Sequence, residues 1–238
     1  MTKLKHWQIS LIILFVVAEL TFTILAQTLS GKPLQIAEYV SICMCFVFAL
    51  VFVANKKFNF MIALGLLFTL GADACLVLNT PPKQWQGMVF FSIVQIIYAI
   101  YLMMDAKRAI NIASIVVRIV GSALVVLVTY LVLKDKFDFV SAISMFYIFN
   151  LVVNIVFAFV QFKNHKLFAM GLLFFVCCDI FIGLACANGV YFTISNAAIR
   201  KMISGNIAWL FYIPSQTLLA LSTALNHAKV HSAILINN

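Results

Sequence analysis

The chain has 238 residues, of which 65% are hydrophobic and only 10% charged. A soluble domain carries about a quarter charged residues, so a soluble globular protein is excluded and nearly all of the chain belongs in a bilayer. The net charge of +9 does not point to nucleic acid: the Lys and Arg stand singly or in pairs in short loops, where they set membrane topology, and no basic face with interleaved aromatics occurs.

Met1–His6 carries Lys3 and Lys5, and Trp7–Leu29 is then apolar. That run is longer than the roughly 7–15 residues of a signal-peptide core and lacks an Ala-x-Ala cleavage pattern, so it reads as a first, uncleaved helix with Glu19 inside it. Gly31-Lys32-Pro33-Leu34 turns into a second helix, about Leu34–Ala54, which Asn55-Lys56-Lys57 ends. Proline suits a helix start because that position has no N–H partner to lose. The third helix is Phe58–Leu78, with Asp73 inside it. Thr80-Pro81-Pro82-Lys83 is a tight turn, since neither proline continues a helix. The fourth helix is Trp85–Met104, with Gln95 and Tyr98, and Asp105-Ala106-Lys107-Arg108 closes the first half.

The fifth helix is Ile110–Leu133, interrupted by Arg118, and Lys134–Asp138 is polar. The sixth is about Phe139–Gln161, with Tyr147, Asn150 and Asn154; the two asparagines, four apart, share a face. Lys163–Lys166 leads into the seventh, Leu167–Ala187, an apolar run of 21 residues whose one charge is Asp179. Asn188–Gly205 is the longest loop, with Arg200 and Lys201 and room for a short amphipathic piece on the membrane surface. The eighth helix is Asn206–Leu225, with Tyr212, Pro214 and Gln216, and the tail Asn226–Asn238 reads as loose.

The sequence therefore predicts an all-α polytopic membrane protein in one membrane domain, residues 1–238, with eight transmembrane helices. An internal repeat divides them into two halves of four, about residues 7–104 and 110–225. Ala63–Leu76, ALGLLFTLGADACL, is echoed by Ala169–Ile182, AMGLLFFVCCDIFI, with Asp73 and Asp179 in register 106 residues apart. FALVFVANKK (Phe48–Lys57) resembles FAFVQFKNHK (Phe157–Lys166) just before these two helices. Phe90-Phe91, Gln95 and Ala99 match Phe211-Tyr212, Gln216 and Ala220 in the last helix of each half. Four helices per half start each half on the same side, which makes the repeats parallel about an axis along the membrane normal. With the N-terminus inside, nine Lys and Arg fall in inner segments and six in outer loops. That bias places both termini in the cytoplasm, and the expected location is the plasma membrane of a bacterium.

The pair Asp73 and Asp179 carries the chemistry. A carboxylate in a membrane helix is expensive and usually faces other helices or a wet cavity. Two carboxylates held close together out of water can keep one proton between them, giving an acid and a base together. Such a pair suits hydrolysis through a cationic intermediate, or proton-coupled transport. The structural alternative is a hydrogen bond to Gln95, Gln216 or Asn154 on a neighbouring helix. On the expected topology Asp73 lies about 8–9 Å from the outer end of its helix, at about 1.5 Å per residue, and Lys32 begins the second helix on the same side. This arrangement fits a lipid with phosphate near Lys32, glycerol linkage near the aspartates and tail in the bilayer.

Glu19 and Arg118, in the first helix of each half, read as an ion pair with each other or with the aspartates. The six cysteines, Cys43, Cys45, Cys75, Cys177, Cys178 and Cys186, all lie in apolar segments and read as small apolar residues. His6, His165, His227 and His231 fall in loops or tails, so no metal site is expected. No nucleotide or hydrolase-elbow motif occurs, and no cofactor is expected. Gly65 and Gly171 read as points of close helix packing.

The ordered set resembles the YhhN-like lysoplasmalogenase family of eight-helix membrane proteins. The matching pieces are Lys32-Pro33-Leu34, Gly65…Phe68…Asp73…Leu76, Gly87…Phe91…Gln95…Tyr98, Tyr147, Gly171…Phe174…Asp179 and Tyr212…Gln216…Ser222, spanning Leu29–Ser222. The resemblance implies a membrane hydrolase of lipid metabolism that cleaves the vinyl ether bond of a lysoplasmalogen to a fatty aldehyde and a glycerophospho-headgroup. Asp73 and Asp179 would be its catalytic residues. Lys32, Gln95, Tyr98, Tyr147, Asn154, Tyr212 and Gln216 are candidates for substrate-binding or supporting roles. Three positions depart from the family pattern: Gln95 stands where His is usual, Ala72 where Gly is, and Cys178 where Ser is. Gln cannot titrate, so any acid–base role of that histidine is gone. The other reading is a proton-coupled transporter or a non-catalytic lipid-handling protein using the same aspartates; its sequence marks are Pro214 and the glycines, which could break helices.

Overall fold

Apolar runs of this length can satisfy their backbone groups in a bilayer only by closing every hydrogen bond within a helix. The computed structural model follows that rule: among the described residues it is helical and has no strand. Its backbone is described for residues 4–53, 57–104, 106–188, 193–203 and 206–236, and its side chains for the same residues except 57, 198, 201, 202 and 226–236. The helices are α1 His6–Thr28, α2 Gly31–Val51, α3 Lys57–Leu76, α4 Gln84–Met104, α5 Arg108–Leu133, α6 Phe139–Val160, α7 Phe162–Ala187, α8 Ala197–Ile203 and α9 Ile207–Ile236. All but the short α8 are long and apolar enough to cross a membrane, eight in all. The pattern is that of an integral multi-pass membrane protein. Large apolar side chains such as Leu14, Ile24, Ile119 and Val132 cover its outside, where lipid replaces water as solvent.

Several boundaries differ from expectation for identifiable reasons. α3 stops at Leu76 because the Pro81-Pro82 turn folds back on it: Asn79 Nδ2 donates to the Ala74 carbonyl at 2.6 Å and the Lys83 amide to that of Cys75 at 2.9 Å. Asp73 thus lies three residues from the helix end, about 4.5 Å at the helical rise, and not 8–9 Å. α2 begins at Gly31, whose φ of +65° suits glycine, three residues earlier than expected. Glu38 is a buried side chain inside α2. α7 begins at Phe162, because His165 (φ −122°, ψ 34°) kinks the helix without ending it. His165 is accordingly no loop residue: it is buried, with Nδ1 2.9 Å from Tyr101 Oη. α9 continues as backbone helix to Ile236, past the point where a loose tail was expected. The long loop holds α8.

The neighbour relations run in matching pairs. α3 packs on α4 as α7 packs on α9, α2 on α3 as α6 on α7, α1 on α2 as α5 on α6, and α2 on α9 as α6 on α4. The match is incomplete: α1 and α3 also touch α9, whereas α5 packs chiefly on α6 and lies outermost. Close approach marks the contact of α3 with α4. A Cβ on Gly65 would stand 2.8 Å from Tyr98 Cζ and 3.0 Å from its hydroxyl, so the ring fits only against glycine. At Gly171 the equivalent atom would lie 2.9 Å from Leu219 Cγ and 3.1 Å from the Ser215 carbonyl, which brings α7 and α9 together. Behind these contacts Tyr98, Tyr101, Phe168 and Phe175 form a fully buried aromatic core.

Candidate functional site

Two carboxylates and two phenols make the site. Asp73 on α3 is buried, and the Tyr212 hydroxyl on α9 donates to it, lying 3.0 Å from Oδ1 and 2.8 Å from Oδ2. Asp179 on α7 is half-buried, and its Oδ2 accepts from the Tyr147 hydroxyl on α6 at 2.5 Å. Each aspartate is thus held by a tyrosine from a different helix, and among the described residues neither meets a cation. Nor do the two carboxylates hydrogen-bond each other. The ring of Phe175 lies between the two phenols, 6.3 Å from Tyr147 and 5.5 Å from Tyr212, with Phe91 5.5 Å from Tyr147 and Trp209 5.2 Å from Tyr212. These rings exclude water from the carboxylates on one side and hold the phenols in place.

The tyrosines sit where local structure puts them. Asp138 caps α6, accepting from the Ser141 amide at 2.7 Å and its hydroxyl at 2.5 Å, and so fixes the start of the helix that carries Tyr147. Asn206 Nδ2 donates to the Ala26 carbonyl of α1 at 2.8 Å, and Gln27 Nε2 returns a bond to the Asn206 carbonyl at 3.0 Å. That clasp fixes the start of α9 five residues before Tyr212. Asp138 also lines, with Trp85, Phe139 and Val140, an open cavity of about 420 Å³ where α4 and α6 begin.

The remaining candidates divide into separate groups. Gln95 and Asn154 do not join the aspartates. Asn154 Nδ2 donates to the side-chain and backbone oxygens of Gln95, each at 2.9 Å, while its own Oδ1 accepts from Arg118 Nη2 at 2.7 Å. Arg118 is further bound to Asn150 Oδ1 at 3.1 Å and Ser114 Oγ at 3.2 Å. Among the described residues the expected ion pair of Arg118 is absent: amide oxygens, not carboxylates, solvate the guanidinium. Glu19 is likewise unpaired with any cation and accepts from the Ser41 hydroxyl at 2.5 Å. Tyr98 and Gln216 are fully buried in the core, and Lys32 is exposed at the start of α2.

One residue at the site was not singled out by sequence. Glu38 on α2 is 3% exposed, the same as Asp73, and its Oε1 has no hydrogen-bond partner. α2 packs on α3, the helix that carries Asp73. Its signal was available: the offset that lays Phe48–Lys57 on Phe157–Lys166 also lays Glu38 on Tyr147.

Comparison with known proteins places these residues in a family. The model of the YhhN family matches residues 36–223, well over half of the chain, and takes in Glu38, both aspartates and both tyrosines. No curated protein and no solved structure matches the chain.

Proposed function

The chain belongs to the YhhN family, and on that premise we propose that it is an integral membrane hydrolase cleaving the vinyl ether bond of a lysoplasmalogen-type lysolipid. The observation that carries the reading is the pair of carboxylates, each held by a buried tyrosine and by no cation. Vinyl ether hydrolysis needs a proton delivered to carbon and a charge to steady the cation that follows. An uncompensated carboxylate can do either, according to its protonation.

Asp73, the more deeply buried, is the acid, and Asp179 is the ionised partner. The Asp73 proton goes to the alkenyl carbon remote from oxygen, and the other carbon becomes an oxocarbenium ion faced by Asp179. Water adds to that carbon and gives one proton to Asp179, leaving a hemiacetal. The hemiacetal collapses: the glycerol oxygen leaves with the proton from Asp179, and the hemiacetal hydroxyl returns its proton to Asp73. One water is consumed, aldehyde and lysolipid headgroup alcohol are released, and both acids are restored. Buried rings around the phenols favour this path because they withhold bulk water from the cation.

The transporter reading is weaker, since it looks for helices broken near the midplane, and α9 runs on through Pro214. The matching helix contacts also support two parallel repeats with the aspartates across a pseudo-twofold axis. The bias of Lys and Arg supports cytoplasmic termini in a bacterial plasma membrane.

The test is aldehyde release from lysoplasmalogen by the purified protein in lipid nanodiscs. Asp73→Asn and Asp179→Asn should each lower turnover by at least ~10²-fold, the lower end for general acid–base catalysis, and both should fold, because Asn keeps shape and hydrogen bonding without the charge. An Asn variant at either position that folds and turns over at the parent rate would remove the aspartates from the chemistry. A parent protein that releases no aldehyde would remove the substrate.

A further inference from the structure

We propose that Glu38 and Asp73 hold one proton between them, and that this pair, not Asp73 with Asp179, is the proton-holding unit of the site. The pairing stands on the burial of both carboxylates, the unmet oxygen of Glu38 and the packing of α2 on α3; its role as the acid of the reaction rests on the proposed function.

Two observations carry it. The first is the unmet oxygen. Glu38 is as buried as Asp73, yet its Oε1 has no donor. The nearest hydroxyl on its own face, Ser41 three residues on, is committed to Glu19 at 2.5 Å. A bare carboxylate oxygen without a donor in an apolar interior is among the most expensive groups to leave charged. The second is the neighbour. Asp73 is the one carboxylate that acts on Glu38 through space, and two carboxylates out of water cannot both ionise.

The titratable groups around the pair are few. α2 itself contributes Tyr39 and Cys43, which Asp73 also reaches electrostatically. α1 contributes Glu19, turned away to Ser41; α9 contributes Tyr212; α6 and α7 contribute Tyr147 and Cys178 on the Asp73 side. Among the described residues none of these groups is a cation, and a proton can balance the two carboxylates. Glu38 thereby acts through Asp73 as a positioning residue: it keeps the donor loaded. Asp179, whose partner at the position matching Glu38 is the non-acidic Tyr147, is left free to ionise. The two repeats carry one acid site and one base site.

The experiment reads the resting protein without lysolipid. Dicyclohexylcarbodiimide is apolar and reacts with protonated carboxylic acids, and adducts at Glu38 and Asp73 are counted by peptide mass spectrometry after treating proteoliposomes at neutral pH. In the parent protein the pair should be modified and Asp179 spared. In Glu38→Gln the adduct at Asp73 should fall at least ~10-fold, one unit of proton affinity, and in Asp73→Asn the adduct at Glu38 should fall likewise. Glu38→Asp, which keeps the second carboxyl, should restore Asp73 modification. Equal modification of Asp73 with Glu or Gln at position 38 would overturn the proposal, because burial alone would then hold the proton. Should the reciprocal losses appear in a protein that releases no aldehyde, the pair stands and the hydrolase reading falls.

Discussion

Replacing each tyrosine of the site by phenylalanine separates the roles of the two aspartates. Tyr147 is buried between Phe91 and Phe175, and Tyr212 between Phe175 and Trp209. Phe keeps each ring in those contacts, so only the hydroxyl is lost and both variants should fold. The bond at Asp179 is 2.5 Å long and falls on an ionised oxygen in the proposed scheme. Hydrogen bonds to charged groups contribute about 1.5–3 kcal/mol, against about 0.5–1.5 kcal/mol for neutral ones. Tyr147→Phe should therefore strip about 1.5–3 kcal/mol from the ionised state of Asp179 and cut turnover about ten- to hundredfold. Tyr212→Phe removes a neutral bond at Asp73 and should cost no more than about tenfold. The assay is initial-rate aldehyde release by the two variants and the parent in matched nanodiscs, with thermal melts to confirm folding. A Tyr147→Phe protein at the parent rate, or one less impaired than Tyr212→Phe, would refute the assignment of Asp179 as the charged partner.

Two further expectations concern the scaffold that holds the site. Gly65→Ala places a methyl 2.8 Å from Tyr98 Cζ, and the ring cannot retreat because Phe168 stands edge-on behind it at 5.1 Å; overpacking of this kind costs about 1–3 kcal/mol, visible as a lowered melting temperature in detergent. Asp138→Ala removes the cap of α6 at a cost of about 1 kcal/mol. The Ser141 hydroxyl, and then its amide, hold the Asp138 carboxyl below the ordinary carboxylate range. Its contribution is therefore fully present above the unfolded value of about 3.9 and is lost as pH falls through the lower folded value, so melts of variant and parent should differ at neutral pH and converge in acid.

The helix count was legible because each apolar run meets the bilayer's length requirement and nothing competes with it. What misled was helix ends. Lys32-Pro33 reads as a turn, so α2 was expected from Leu34, which put Glu38 only about one turn from the helix start. The helix starts at Gly31, and seven residues at about 1.5 Å each carry Glu38 about 10 Å down. The same error in reverse hid His165: Lys163-Asn164-His165-Lys166 is polar enough for a loop, but Tyr101 and the aromatic core hold the histidine inside a kinked helix. The aspartates stood out because the phrase around them is duplicated. Their tyrosines were found only through the family resemblance, since a phenol in an apolar helix gives no sign of which neighbour it faces. Gln95, Gln216 and Asn154 were offered as alternative partners for the aspartates; Gln95 and Asn154 instead bond to each other, which spacing along single helices cannot foretell.

The two halves solve one problem with opposite charges. The offset that lays Glu38 on Tyr147 also lays Ser41 on Asn150 and Cys45 on Asn154. In the first half the Ser41 hydroxyl donates to the carboxylate of Glu19; in the second, the amide oxygens of Asn150 and Asn154 accept from the guanidinium of Arg118. A buried charge is steadied by dipoles of the right sense, not only by a counterion. When the charge on α1 or α5 changes sign, the side chains facing it on α2 or α6 change from donor to acceptor. The same positions one turn nearer the aspartates changed from Glu38 to Tyr147, again on the face of α2 or α6. On the proposed function, these few altered polar positions would make two equivalent aspartates into an acid and a base, which is what a one-substrate hydrolysis requires of a symmetric scaffold.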